Sequence, residues 1–334
     1  MVYCFAGGSD EDFFGCIAAD ISAAIHHVKK MTKMCRIIFL FLVVVAGSVA
    51  FAGPYAPPAG QAGSTAVHMD DAGIVAWATD AVIERGFIDI SRPELGYVSY
   101  GDDANCLGAA QGDVYDVVSL GDGGIATLSF QNPIMNGDGN DFVVFENSFS
   151  NTFLELGFVE VSSDGNNFFR FDAVSLTDPN VQVGTFGSVD ATDINNLAGK
   201  YKSGYGTPFD LQELAGVEGL DINSITHIRI IDVVGCIQSA DFNNDGFVNF
   251  SDYSVLAGAY LSVSGDSRWN PRCDIATPYD IIDRNDVGEF VFQWLAEWSS
   301  MDSVGNKIND PWPTPFDTGG FDLDAVGVIH QKQP

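Results

Sequence analysis

The chain has 334 residues, 46% of them hydrophobic, with 45 acidic against 15 basic side chains and a formal net charge of −30. It is long enough for one large domain or two smaller ones with ample core. Such acidity excludes nucleic acid and anionic membrane surfaces as natural partners, because no basic patch exists to meet phosphates, whereas it suits divalent cations.

Read from the N-terminus, Lys29, Lys30, Lys33 and Arg36 precede the apolar run IIFLFLVVVA (37–46), which leads to Ala50–Phe51–Ala52. Basic flank, short apolar core and small-x-small ending predict a secretory signal peptide over 31–52, cleaved after Ala52. The run is too short for a permanent membrane span, so the mature chain is expected to be secreted or held at the cell surface with no transmembrane anchor. Residues 1–30 have no part in such a signal and read as an extension upstream of a start at Met31 or Met34. Export leaves Cys106, Cys236 and Cys273, an odd number that permits at most one internal bridge. A Cys236–Cys273 pair, bracketing the loop discussed below, is the expected bridge; three separate thiols are the alternative.

Next along the chain, Asp70–Asp71 precede AGIVAWATDAVIERG, which reads as a helix with an acidic N-terminus. From residue 96 the texture becomes short runs punctuated by glycine, asparagine and aspartate: YDVVSL, GIATLSF, DFVVFEN, LGFVEVSSDG, NFFRFDAV, THIRIIDVVG and FDLDAVGVI. Alternation within them predicts half-buried antiparallel strands, and many short strands with twenty-five phenylalanines point to a jelly-roll β-sandwich. Residues 238–299 break that pattern. Tyr253, Leu256, Ala257, Tyr260 and Leu261, and later Val287, Phe290, Val291, Trp294, Leu295 and Trp298, recur at helical spacing, predicting two helices with facing apolar stripes. The expected organisation is a β-sandwich built from 53–237 and 300–334, carrying a small helical insert at 238–299.

The insert opens with DFNNDGFVNFSD (241–252). Asp241, Asn243, Asp245, Asn249 and Asp252 occupy loop positions 1, 3, 5, 9 and 12, Phe247 offers its carbonyl at position 7, and Gly246 permits the sharp turn. Calcium takes about 6–8 oxygens, and this spacing of oxygen donors supplies them. These residues, with the helix that follows, resemble the duplicated loop–helix segments of dockerin type I modules over about 60 residues. The resemblance implies a calcium-folded module that docks onto a cohesin-like protein or surface scaffold, with Phe250 and Ser251, and Arg284 and Asn285 in the second repeat, choosing the partner. That second repeat, CDIATPYDIIDRND, departs from the pattern: Asp280 stands where the turn glycine belongs and Asp274 lies one residue too far upstream. An irregular second site could use Asp274, Asp280, Asp283 and Asp286, or the loop could be empty.

The flanking segments GDGNDFVVFENSF, FVEVSSDGNNF and GGFDLDAVGVI resemble an uncharacterised group of bacterial exported cell surface proteins, and VEVSSDGNNF and FDLDAV are also similar to galactose-binding-type sandwiches. No activity comes with that resemblance. Asp138 and Asp141 with Asp322 and Asp324, beside Glu146, form a candidate second calcium site if neighbouring strand ends bring them together, with solvated turn aspartates as the alternative. Nucleophile motifs are missing from the text, and Trp312, Tyr201 and Tyr205 are candidate sugar-stacking rings. The expectation is a non-enzymatic calcium-binding surface protein whose sandwich binds an extracellular ligand such as a polysaccharide. A dockerin-bearing hydrolase or lyase and a purely structural protein are the rivals.

Overall fold

The computed structural model describes residues 53–333 apart from 244, 246 and 295–297; the signal-peptide reading and the 1–30 extension lie outside the described residues. Among the described residues thirteen strands follow one another: β1 (Val67–His68), β2 (Ala76–Trp77), β3 (Asp80–Glu84), β4 (Val118–Ser119), β5 (Ile125–Ile134), β6 (Phe142–Glu146), β7 (Gly157–Ser162), β8 (Phe169–Arg170), β9 (Val174–Ser175), β10 (Ile194–Asn195), β11 (Tyr205–Phe209), β12 (Ile225–Asp232) and β13 (Asp322–Val328). Two helices, α1 (Phe250–Ala259) and α2 (Arg284–Trp294), lie between β12 and β13.

Among the described residues every ladder is antiparallel. The larger sheet has the order β1-β11-β6-β13-β2, with β4 also paired to β13; a second runs β3-β5-β12-β7-β8; and β9 and β10 form a separate two-stranded ladder. The facing side chains of the first two share one apolar core, with Phe142, Val144, Phe209, Leu323 and Val326 from the first sheet and Leu128, Val159, Ile228 and Ile230 from the second. The run FVVFE of β6 is buried at every position because its outer face is covered too: Val143 and Phe145 join Ala325, Trp77, Met69 and Ile74 in a smaller cluster. A strand covered on both faces reads as continuous apolar text instead of alternating text.

The helix expected over AGIVAWATDAVIERG does not form. Asp80–Glu84 is β3, fully laddered to β5, and its exposure alternates residue by residue, with Ala81 and Ile83 turned to the core. Sheet pairing there overrides a composition that suits either structure. Asp71 instead turns the chain, accepting from the Gly73 amide at 2.7 Å.

The inserted segment has its own apolar centre. Phe242, Val248, Leu256, Ala259, Cys273, Ile282 and Phe290 cluster there, with Val287, Trp294 and Tyr260 against them, whereas Tyr253, Ala257, Leu261 and Val291 of the expected stripes stay exposed. The Cys236–Cys273 bridge is absent. Both thiols are free and buried, Cys273 inside this cluster and Cys236 where the chain leaves the strands, and Cys106 is a third buried thiol. Among the described residues no helix is long and apolar enough to cross a membrane.

Candidate functional site

The loop before α1 is assembled by its own acids. Asp252, fully buried, accepts backbone amides from Asn243 (3.1 Å) and Asn249 (3.0 Å) and so ties both halves of the loop to the first turn of α1. Asn249 caps that helix by accepting from the Ser251 amide at 2.8 Å. Asp245 receives the Phe247 amide at 3.0 Å, and its own amide reaches Asp241 Oδ1 at 3.2 Å and Asn243 Oδ1 at 2.9 Å. Asp241, Asp245 and Asp252 each bring a carboxylate oxygen within 4.8 Å of the others, a group able to hold a metal ion. The outer oxygen of Asp241 is engaged from the two-sheet body: Lys307 Nζ lies 2.9 Å from Oδ2.

The second loop is organised around two of its acids. Asp286, fully buried, takes three backbone amides, from Ile275 (2.8 Å), Ala276 (2.9 Å) and Asp283 (2.7 Å), while Asp274 receives the Asp280 amide at 2.8 Å. Among the described residues the metal-sized carboxylate group is that of the first loop; Asp274, Asp280, Asp283 and Asp286 do not form one. Asp274 Oδ1 is buried there with no hydrogen-bond partner among the described residues. Phe250 and Ser251, in the first turn of α1, and Arg284 and Asn285, in the first turn of α2, are all exposed, with Phe250 set edge-on to Trp294 at 4.5 Å.

The acids of the two sheets are also placed differently from the expectation. β6 and β13 are antiparallel, with Leu323 opposite Glu146 and Val328 opposite Phe142. Asp322 and Asp324 therefore lie at the Glu146 end, while Asp138 and Asp141 lie at the other. There Asp141 binds His330 Nδ1 (2.8 Å) and the amides of Gly137 and Leu211 (both 2.7 Å). Asp324 accepts the amides of Gln111 and Gly112 at 3.0 Å. A five-residue strand spans roughly 16 Å, so no single ion joins the four aspartates. Of the candidate stacking rings, Tyr201 is buried and bonded to Thr65, and Trp312 donates to Asp122 at 2.9 Å.

What sequence reasoning missed is a cavity of about 410 Å³ where β6 ends and β13 begins. Tyr115, Phe149 and Phe186 stand exposed at its rim, whereas Phe153, Glu155 and Asp322 are buried at its floor. The rings run in series: Phe149 stacks on Phe153 at 4.6 Å, Phe153 meets Phe186 at 6.1 Å, and Phe186 meets Phe316 at 6.0 Å. Exposed rings grouped around a concave, partly polar floor are unusual on a protein surface with no ligand to bind. Asp322 is fixed by Ser119 Oγ and, at 2.9 Å, by Asn147 Nδ2. Glu155 is 6% exposed, and among the described residues no donor reaches its carboxylate. Gly199 makes that placement possible: at φ +78° its missing Cβ would sit 1.9 Å from the Glu155 carbonyl oxygen.

Burial pushes Asp322 up to about 7, against the hydrogen bonds of Ser119 and Asn147. Burial also raises Glu155 well above the ordinary carboxylate range, helped by the nearby charges of Asp322, Glu146, Asp310 and Asp232. Glu146, Asp232 and Asp310 are raised in the same direction by burial. The sequence signal for this pocket is weak: FSNTFLE (149–155) carries two rings and an acid, but its partners lie from about thirty to more than 160 residues away. Compared with family models, curated proteins and solved structures, the chain matches none.

Proposed function

We propose that this is an exported binding protein that captures a small extracellular ligand in the aromatic pocket, while calcium bound at Asp241, Asp245 and Asp252 folds the insert. The observation that carries the reading is the pocket itself: a ring of exposed aromatic side chains around two buried carboxylates. On this reading the two sheets are a jelly-roll sandwich of galactose-binding type and the insert is a dockerin-like module. The exposed Phe250, Ser251, Arg284 and Asn285 then meet a cohesin-like protein or surface scaffold. Calcium is favoured over softer metals because every donor in the loop is an oxygen. When bound, it neutralises the converging carboxylates and adds its binding free energy to the fold of the insert.

The test is a panel of mono- and oligosaccharides and small metabolites titrated calorimetrically into the protein and into Phe186→Ala. We expect one-to-one binding by some member of the panel, weakened at least about tenfold by loss of the ring. Binding indifferent to Phe186, or none at all, contradicts the reading. One observation favours a second reading, a carbohydrate-active hydrolase: two acids with raised proton affinity share a cavity, as a general acid and its partner must. Polysaccharide turnover abolished by Glu155→Gln, with binding retained, would establish that reading instead.

A further inference from the structure

Resting on the pocket reading above, we propose that the ligand of this cavity is a small organic cation, its ammonium group seated against Glu155 and Asp322 and its body against the phenylalanine faces. Charge comes first. The lining contains two carboxylates and no lysine, arginine or histidine. The cation that acts on Asp322 from nearby, Arg85, gives its guanidinium to the carbonyls of Tyr100, Ser119 and Gly101 and to Asp103. Glu155 therefore faces the cavity with no donor of its own, with Glu146, Asp232 and Asp310 buried around it. A buried carboxylate in that position needs a proton or a cation.

The walls choose between kinds of cation. A bare divalent ion needs several oxygens within a few ångströms, and among the described residues the metal-sized carboxylate group is in the insert, not here. An alkylammonium is larger, so separated acids can share it. Phenylalanine rings offer a neutral polyol no hydrogen bond, whereas they attract an ammonium through their faces and accept its methyl or methylene groups as apolar contacts. A volume near 410 Å³ suits a ligand of sugar or choline size. The raised proton affinity of Glu155, caused by burial and by the charges of Asp322, Glu146, Asp310 and Asp232, adds a signature: docking an ammonium ionises it and releases a proton.

Two matched pairs of probes test this by calorimetric titration into the whole exported protein: choline against its uncharged isostere 3,3-dimethylbutan-1-ol, and glucosamine against glucose. The expected result is that the cation of a pair binds at least about tenfold more tightly than its neutral partner. Glu155→Gln should erase that preference, Phe186→Ala should weaken both members, and the wild-type affinity for choline should rise between about pH 5 and about pH 8 with proton release. Because Phe186 is exposed, its replacement does not threaten the fold. Neutral members binding as well as the cations, in wild-type protein, overturns the cation assignment but leaves the pocket reading standing. Failure of all four probes overturns the cation assignment, and failure of the wider panel as well removes the pocket reading with it.

Discussion

Lys307 Nζ lies 2.9 Å from Asp241 Oδ2, and both side chains are buried, so a lysine from the two-sheet body holds the first acid of the Asp241–Asp245–Asp252 cluster in the insert. Asp241 Oδ1 stays on the loop side, accepting the Asp245 amide. The pair therefore steadies that carboxylate from behind, as outer hydrogen bonds do where such a group holds a metal.

Replacing that lysine should uncouple metal and body. In Lys307→Met, the calcium-free protein should lose about 3 kcal/mol, because removing one partner of a buried pair leaves a desolvated charge. Calcium should restore most of the loss, since the ion supplies the missing positive charge. Denaturant melts with calcium and with chelator measure both; equal stability of the calcium-free variant and wild type would show the pair to be idle.

The buried acids set a pH dependence that runs opposite to ordinary acid denaturation. Glu146, Glu155, Asp232, Asp310 and Asp322 are held above their ordinary values by burial, Asp322 at about 7. An unfolded carboxyl titrates near 4, so between about pH 4 and about pH 7 the folded state binds more protons than the unfolded one. Stability must fall as pH rises through that window. In chelator, the melting temperature of the two-sheet body should be higher at about pH 5 than at about pH 8; the reverse order would mean that these groups are compensated by cations or water.

The three described thiols should be silent in the native protein. Burial pushes Cys106 and Cys236 up to about 12 and Cys273 to about 11, leaving almost no thiolate at neutral pH. Thiol titration of the chain from residue 53 onward should find all three after denaturation and react slowly before it. Only one reactive thiol after denaturation would reinstate the Cys236–Cys273 bridge.

Gly199 should be indispensable to the pocket floor. At φ +78°, with a Cβ landing 1.9 Å from the Glu155 carbonyl, Gly199→Ala should cost more than about 2 kcal/mol and displace Glu155. Gly184→Ala near the rim, where an added Cβ meets nothing within 4 Å, should change stability by less than about 0.5 kcal/mol. Chemical denaturation of the two variants checks this directly; similar costs would mean that the backbone at 199 relaxes.

Much of the scaffold is legible in the text because its physics is local. The alternation of THIRIID becomes β12, the oxygen spacing of DFNNDGFVNFSD becomes a converging acid cluster, and the i, i+3, i+4 stripes become α1 and α2. What the text hides is decided across the fold. DAVIE becomes a strand only because β5 offers it a ladder, and Asp141 is parted from Asp322 by the antiparallel register of β6 and β13. Asp286 keeps its expected position yet accepts three backbone amides, which no ligand spacing reveals. The pocket gathers Tyr115, Phe149, Glu155, Phe186, Phe316 and Asp322 from four separate stretches, so no local pattern announces it.

The division of labour between a calcium-folded insert and an independent pocket is tested most directly by hydrogen exchange with mass spectrometry, comparing calcium with chelator. We expect calcium to raise protection across 238–299 and in the 302–310 segment that carries Lys307, with pocket segments 147–155 and 314–322 unchanged. Exchange unaffected by calcium in the insert, or a calcium response centred on the pocket, would contradict it.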